Sequence, residues 1–163
     1  MAEPMIGKPE KVQMGKIKAP KQQSAAQPQA KPMTSDDIIR RSAEKEMPGS
    51  DVEGFMRKLV ALVKTKKIQL LQIGNTVFLL QTKEPGTVEF HTFTIESPSD
   101  LVQRYKAGIN SLKQMGFKKA YSYSTSPAFV KIAEQTGLPV RVTQSQQVIG
   151  DKAVPAYRFE VDI

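Results

Sequence analysis

The stretch TVEFHTFTIESPSDLVQRYKAG (Thr87–Gly108) places two hydrophobic periods end to end. From Thr87 to Glu96 the period is two: Val88, Phe90, Thr92 and Thr94 share one face, and Glu89, His91, Phe93 and Ile95 the other. From Pro98 onward it becomes helical: Leu101, Val102, Tyr105, Ile109, Leu112 and Met115 form one stripe, and Gly116 stops it. Ser97 is placed to cap the helix, Pro98 fits its first position, and Asp100 suits the positive end of its dipole. A strand running straight into a capped helix is the decisive junction.

Upstream, IQLLQI and TVFLLQT read as two more strands, joined by the turns Gly74-Asn75 and Lys83 to Gly86. The three strands form an antiparallel meander. Two helices precede it. TSDDIIRRSAEKE is capped by Thr34 or Ser35 and stopped by Pro48 and Gly49. SDVEGFMRKLVALVKTKK carries a Ser50/Glu53 capping box and a core stripe of Val52, Phe55, Met56, Leu59, Val60 and Val63. Downstream, KKAYSYST is a strand, and SPAFVKIAEQTG is a helix capped at Ser126 and stopped at Gly137. LPVRVTQSQQV and VPAYRFEVDI are two last strands joined by IGDKA.

The first 34 residues differ in kind from the rest. Met1 to Met33 has six lysines, two glutamates, five prolines and no aromatic residue, so about half of the chain's net charge of +8 lies there. So little apolar surface cannot offset the entropy of ordering the segment, which predicts an extended basic Pro/Lys/Gln-rich arm over 1–34 and a folded domain over 35–163. Met5, Ile6, Val12, Met14 and Ile17 are spaced apolar points on it, with Lys8, Lys11, Lys16, Lys18 and Lys21 between and around them. This pattern is expected to bind a partner surface while the lysines stay in water. The chain has no cysteine, which excludes disulfides, a thiol nucleophile and a zinc–thiolate site. It has no run of about 18 apolar residues to span a bilayer, no secretory signal at its start, and no Gly at position 2 for myristoylation.

From Asp36 the order is α-α-β-β-β-α-β-α-β-β. Together with KKAYSYSTSPAFVKIAEQTGLPV, where a strand leads through a loop into a short helix ending in Gly137-Leu138, this order resembles the GNAT acyltransferases without their first strand. The resemblance implies an α+β fold: a central, mostly antiparallel mixed sheet of about six strands with helices on both faces, here preceded by the arm. It also implies acetyl-CoA, whose pyrophosphate the family holds on a loop of the form Arg/Gln-x-x-Gly-x-Gly/Ala. The matching segment ESPSD has neither Gly nor Arg. Ser126 stands where the family often has Asn, and Ala133 where it often has Tyr. The stretch from Ser124 to Lys131 is also similar to part of the small internal or neck proteins of short-tailed phages.

Candidate chemistry is sparse. His91 is the sole histidine and suits a general base, with Glu89 on its face to assist. Tyr121, Tyr123 and Ser124 lie at the strand end that faces substrate in a GNAT enzyme. Lys64, Lys66, Lys67, Lys118 and Lys119 form a candidate basic patch, without the motif of a known nucleic-acid reader. No metal-ligand spacing or phosphate loop is present. These features together predict a non-enzymatic structural or assembly protein with no cofactor: a bacteriophage virion component, in the head, neck or interior, present in the host cytoplasm during assembly. Its partners would be other virion proteins, with non-specific DNA contact through lysines and no membrane. The alternatives are an acetyltransferase with an atypical acetyl-CoA site and a non-specific nucleic-acid binder. The enzyme requires an open splay between the strands at Phe93 and Tyr123.

Overall fold

A computed structural model describes residues 33–163. The partner-binding positions expected between Met5 and Lys21 lie outside the described residues.

Two helices come first. Thr34 caps α1 (Ser35–Glu46), its side chain accepting the Asp37 N–H at 3.2 Å. Helix α2 (Val52–Lys64) begins differently from the expected Ser50/Glu53 box. Asp51 is its cap and accepts the Gly54 N–H at 2.9 Å, while Ser50 Oγ donates to the Met47 carbonyl and Glu53 pairs with Arg40 of α1. A carboxylate in the cap position also answers the positive end of the helix, which a hydroxyl cannot do.

The meander follows as β1 (Gln69–Ile73), β2 (Thr76–Glu84) and β3 (Thr87–Thr94), antiparallel throughout. The first hairpin turns on Gly74 at φ 60°, a left-handed conformation that favours glycine. Helix α3 (Pro98–Gln114) is capped by Ser97 as expected. Strand β4 (Lys119–Ser124), helix α4 (Ala128–Gln135), and the hairpin β5 (Arg141–Ile149) and β6 (Lys152–Asp162) complete the chain order. Pro127 is the residue before α4, with Ser126 Oγ accepting the Ala128 N–H at 3.3 Å, so the serine acts one position earlier than a standard cap.

The six strands form one sheet in the order β1-β2-β3-β4-β6-β5. The β3–β4 pair is parallel, and β6 inserts between β4 and β5. Helices cover both faces. Ile38 and Ile39 of α1 and Met56 and Leu59 of α2 bury against Val77 and Leu79 on one face of β2. On the other face Phe78, Leu80, Val88 and Phe90 pack under Leu112 of α3, with Tyr105 and Ile109 at the margin. Ile132 of α4 packs on Leu101 and Val102 of α3. The expected mixed sheet with helices on both faces is therefore present.

Three residues assigned to core stripes are exposed instead. Val60 is 40% exposed, Val63 36% and Met115 43%. The first half of α2 makes its contact with the sheet, through Val52, Phe55, Met56 and Leu59, and Met115 stands at the end of α3. Helix α3 comes close to the sheet at Gly108, which is buried: a Cβ there would lie 3.0 Å from the Phe78 ring.

Candidate functional site

Strands β3 and β4 pair over three residues only, Thr87–Glu89 against Lys119–Tyr121. Beyond that point each keeps its other neighbour. β3 stays on β2 as far as Thr94, and β4 stays on β6 as far as Ser124. The two halves of the sheet therefore part, and the gap opens between Phe93 and Tyr123, where the acyltransferase reading requires it. A cleft of about 470 Å³ occupies the gap and reaches both faces. Tyr105, Ile109 and Phe129 line it on the α3 side; Ser42, Glu46, Phe55 and His91 line it on the α1 side.

The parting leaves backbone polar groups facing the gap. The Thr94 N–H is taken by Ser42 Oγ of α1 at 3.2 Å. Strand alternation then aims the N–H and C=O of Thr92 the same way. On the α3 side, Thr92 Oγ1 and the Tyr105 hydroxyl share a hydrogen bond of 2.8 Å. Burial pushes the Tyr105 phenol far above its usual range, so it stays protonated.

On the opposite face His91 is 39% exposed, and its Nε2 lies 3.6 Å from Glu89 Oε2. The other Glu89 oxygen is 3.4 Å from Lys83 Nζ. Glu46, from the end of α1, and Glu160, from β6, also reach the cleft wall. The α1 side thus carries one imidazole with Glu89 beside it, and two further carboxylates on the wall, of which Glu160 is paired with Lys119, Arg141 and Arg158. Tyr123 donates no catalytic geometry of its own: its hydroxyl accepts from Arg158 Nη1 at 2.7 Å. The Arg158 guanidinium in turn lies 4.2 Å above the Tyr121 ring, so Tyr121 stacks beside the cleft without lining it.

The loop before α3 is fixed by charge. The Arg104 guanidinium donates from Nε and Nη2 to Glu96 at 2.9 and 2.8 Å, and Thr76 Oγ1 donates to the same carboxylate at 2.7 Å. The arginine, more than any other group, holds the Glu96 carboxyl below its ordinary value of 4.5. A carboxylate with a lowered folded value adds stability above its unfolded value, and that stability is lost as pH falls through the folded value. Glu160 and Asp162, lowered chiefly by Lys119 and by Arg141 respectively, act in the same sense. The protein should therefore lose stability progressively below about pH 4.5. Urea midpoints at pH 7 and pH 3 should differ less in Glu96→Gln than in the wild type; an unchanged difference would remove Glu96 from the acid response.

Of the residues the sequence offered, His91, Tyr123 and Ser124 line the cleft and Glu89 adjoins it. The lysines of the candidate patch gather at the other end of the sheet: Lys66 and Lys67 precede β1, and Lys118 and Lys119 open β4. Lys119 is paired with Glu160 at 3.1 Å. Tyr105, Thr92, Glu46 and Glu160 were not read as site residues. Their signal is tertiary, since they converge from α3, β3, α1 and β6.

No family model matches the chain, and no curated protein does. Solved structures do. A spermidine N-acetyltransferase from Vibrio cholerae is 9% identical, with a TM-score of 0.58 over 78% of this chain and 89% of that one. An IAA acetyltransferase from Bacillus cereus is 12% identical, with a TM-score of 0.50 over 78% and 95%. A protein from Salmonella typhimurium, solved as an acetyltransferase with its cofactor acetyl-CoA, is 11% identical, with a TM-score of 0.52 over 77% and 85%. These likenesses overturn the expectation of a non-enzymatic virion or assembly component. All three of these proteins are described as acetyltransferases, and the strand splay expected of that fold is open here. The chain has the fold of the GNAT acetyltransferases.

Proposed function

We propose that the protein is an N-acyltransferase that passes an acyl group from a thioester to an amine within the β3–β4 cleft. The observation that carries this reading is the splay itself, open through the sheet, with His91 and Glu89 at one mouth. The arm of CoA, with its amides and terminal thioester, would lie in the gap. Its amides can bond the backbone of Thr92 as an added strand would, and Tyr105, Ile109 and Phe129 give it an apolar wall. When bound, such a thioester supplies an activated acyl carbon and a thiol leaving group.

The chain's own residues supply the rest. Glu46 on the cleft wall and Glu89 beside His91 give the α1-side mouth carboxylates that can meet a cationic amine, while Glu160 is already paired with Lys119, Arg141 and Arg158. An amine must be neutral to attack. His91 would take one proton from the incoming ammonium, and the second proton, shed by the nitrogen as the C–N bond replaces the C–S bond, would go to the departing thiolate. Glu89 stabilises the imidazolium that His91 becomes. The hydroxyl pair of Tyr105 and Thr92 fixes the wall on the opposite side.

Two measurements test this. Acetyl-CoA at about 100 times its dissociation constant should stabilise the protein by about 2.7 kcal/mol, read as a rise in thermal midpoint. Amines added with acetyl-CoA should release thiol, and the absence of cysteine means that the protein contributes no thiol background. A protein that neither shifts nor releases thiol across a panel of polyamines and peptide amines is not an acyltransferase.

A further inference from the structure

The start of α3 is built against a nucleotide diphosphate. β3, which borders the gap, runs on into the start of α3, where a diphosphate would need free backbone N–H groups and no competing anion. Pro98 has no N–H to offer. The Asp100 N–H is taken by Ser97 Oγ at 3.3 Å, and the Leu101 N–H by the Ser97 carbonyl at 2.9 Å. Of residues 98–101, only Ser99 has an N–H not spent in this way.

The charges are equally unfavourable. The Asp100 carboxylate lies at the helix start and accepts from Ser97 Oγ at 3.0 Å. Glu96 stands two residues before the helix begins. Arg104, one turn further along α3, commits its Nε and Nη2 to the Glu96 carboxylate, 10% exposed, so its charge is already paired. The positive end of α3 is thus answered by the protein's own Asp100 carboxylate.

Resting on the acyltransferase reading above, we infer that this protein binds its acyl donor through the pantetheine and thioester portion alone, and that the nucleotide diphosphate of acetyl-CoA adds nothing to its affinity. The donor class is an acyl thioester of pantetheine, either free or carried through its phosphate on another molecule. In both cases the phosphate end stays outside the cleft.

Calorimetry with the full chain tests this without relying on turnover. S-acetylpantetheine, S-acetyl-4′-phosphopantetheine and acetyl-CoA should bind with dissociation constants within about threefold of one another, a difference below about 0.7 kcal/mol. Adenosine 3′,5′-bisphosphate should not compete. Acetyl-CoA binding tighter than S-acetylpantetheine by about tenfold or more would overturn the inference and leave the acyltransferase reading intact. Binding of none of the three would overturn both. If the 4′-phosphate form alone stood out, the phosphate would be recognised and the inference would fail. The double variant Pro98→Gly/Asp100→Gly restores an N–H and removes a carboxylate, so it should move the ratio toward acetyl-CoA by about fivefold or more. An unmoved ratio in a folded variant would show that α3 does not set donor choice.

Discussion

Phe78→Ala should lower the free energy of unfolding by about 3–5 kcal/mol, the range for emptying a large aromatic from a core. Phe78 is 3% exposed and sits where three aromatic side chains meet. Its ring centroid lies 6.1 Å from Phe90 and 5.5 Å from Tyr105. Above it α3 presents Gly108, with no Cβ, so the ring touches helix backbone directly. The site has little freedom to collapse: the neighbours are strands on both sides and a helix already at close approach. For a folded unit of this size the loss should appear as a fall in thermal midpoint of roughly 10–20 °C. Phe78→Leu keeps most of the volume and should cost less than half as much. If Phe78→Ala melts within a few degrees of the wild type, the α3 face of the sheet is not the core described above.

The second large effect, under the acyltransferase reading proposed above, falls on turnover. His91→Ala should reduce kcat/KM by about 10²–10⁴-fold, the contribution of a positioned general base. The side chain is 39% exposed and polar, so its removal should leave the thermal midpoint nearly unchanged. Binding of S-acetylpantetheine should persist, because the imidazole lies on the α1 side, across the cleft from the Tyr105, Ile109 and Phe129 wall proposed for the donor arm. Added imidazole should restore part of the lost rate by occupying the vacated space. Glu89→Gln should reduce the rate less, by about tenfold, because it removes only the partner of the imidazolium. A fully active His91→Ala enzyme would require another group to take the proton, and Glu46 and Glu160 would then be the first to test.

What could be read from the sequence was what local chemistry decides. The meander was legible because Gly74-Asn75 and Pro85-Gly86 are turn chemistry between clean alternations. The start of α3 was legible because Ser97, Pro98 and Asp100 each have one favoured place at a helix start. Where neighbouring residues compete for one role, local reading failed: Ser50 lost the cap of α2 to Asp51. Where burial depends on how far a helix overlaps the sheet, it failed again at Val60 and Val63. His91 was found as a candidate because it is unique in the chain, but its setting was not. The cleft comes from a register in which β3 and β4 stop pairing after Glu89 and Tyr121, and no residue type announces that. Glu160 reaches the cleft only because β6 pairs with β4, a partnership between residues some forty positions apart.

That insertion of β6 has a consequence for how the molecule is made. Residues 35–94 can assemble two helices and a meander from contacts close in sequence as soon as they leave the ribosome. The other half of the sheet cannot. Ala120 waits for Val161, and Ser124 for Tyr157, before β4 gains its antiparallel neighbour. Until β6 emerges, β4 has only the three-residue parallel pairing with β3, and β5 has no place in the sheet at all. Contacts of such long separation make for slow closure, since loop entropy is lost before they form. The nascent chain should therefore pass through a state in which the meander is folded and the strand edge of β3 is bare. The cleft, which needs both halves, should be the last part of the protein to acquire its shape.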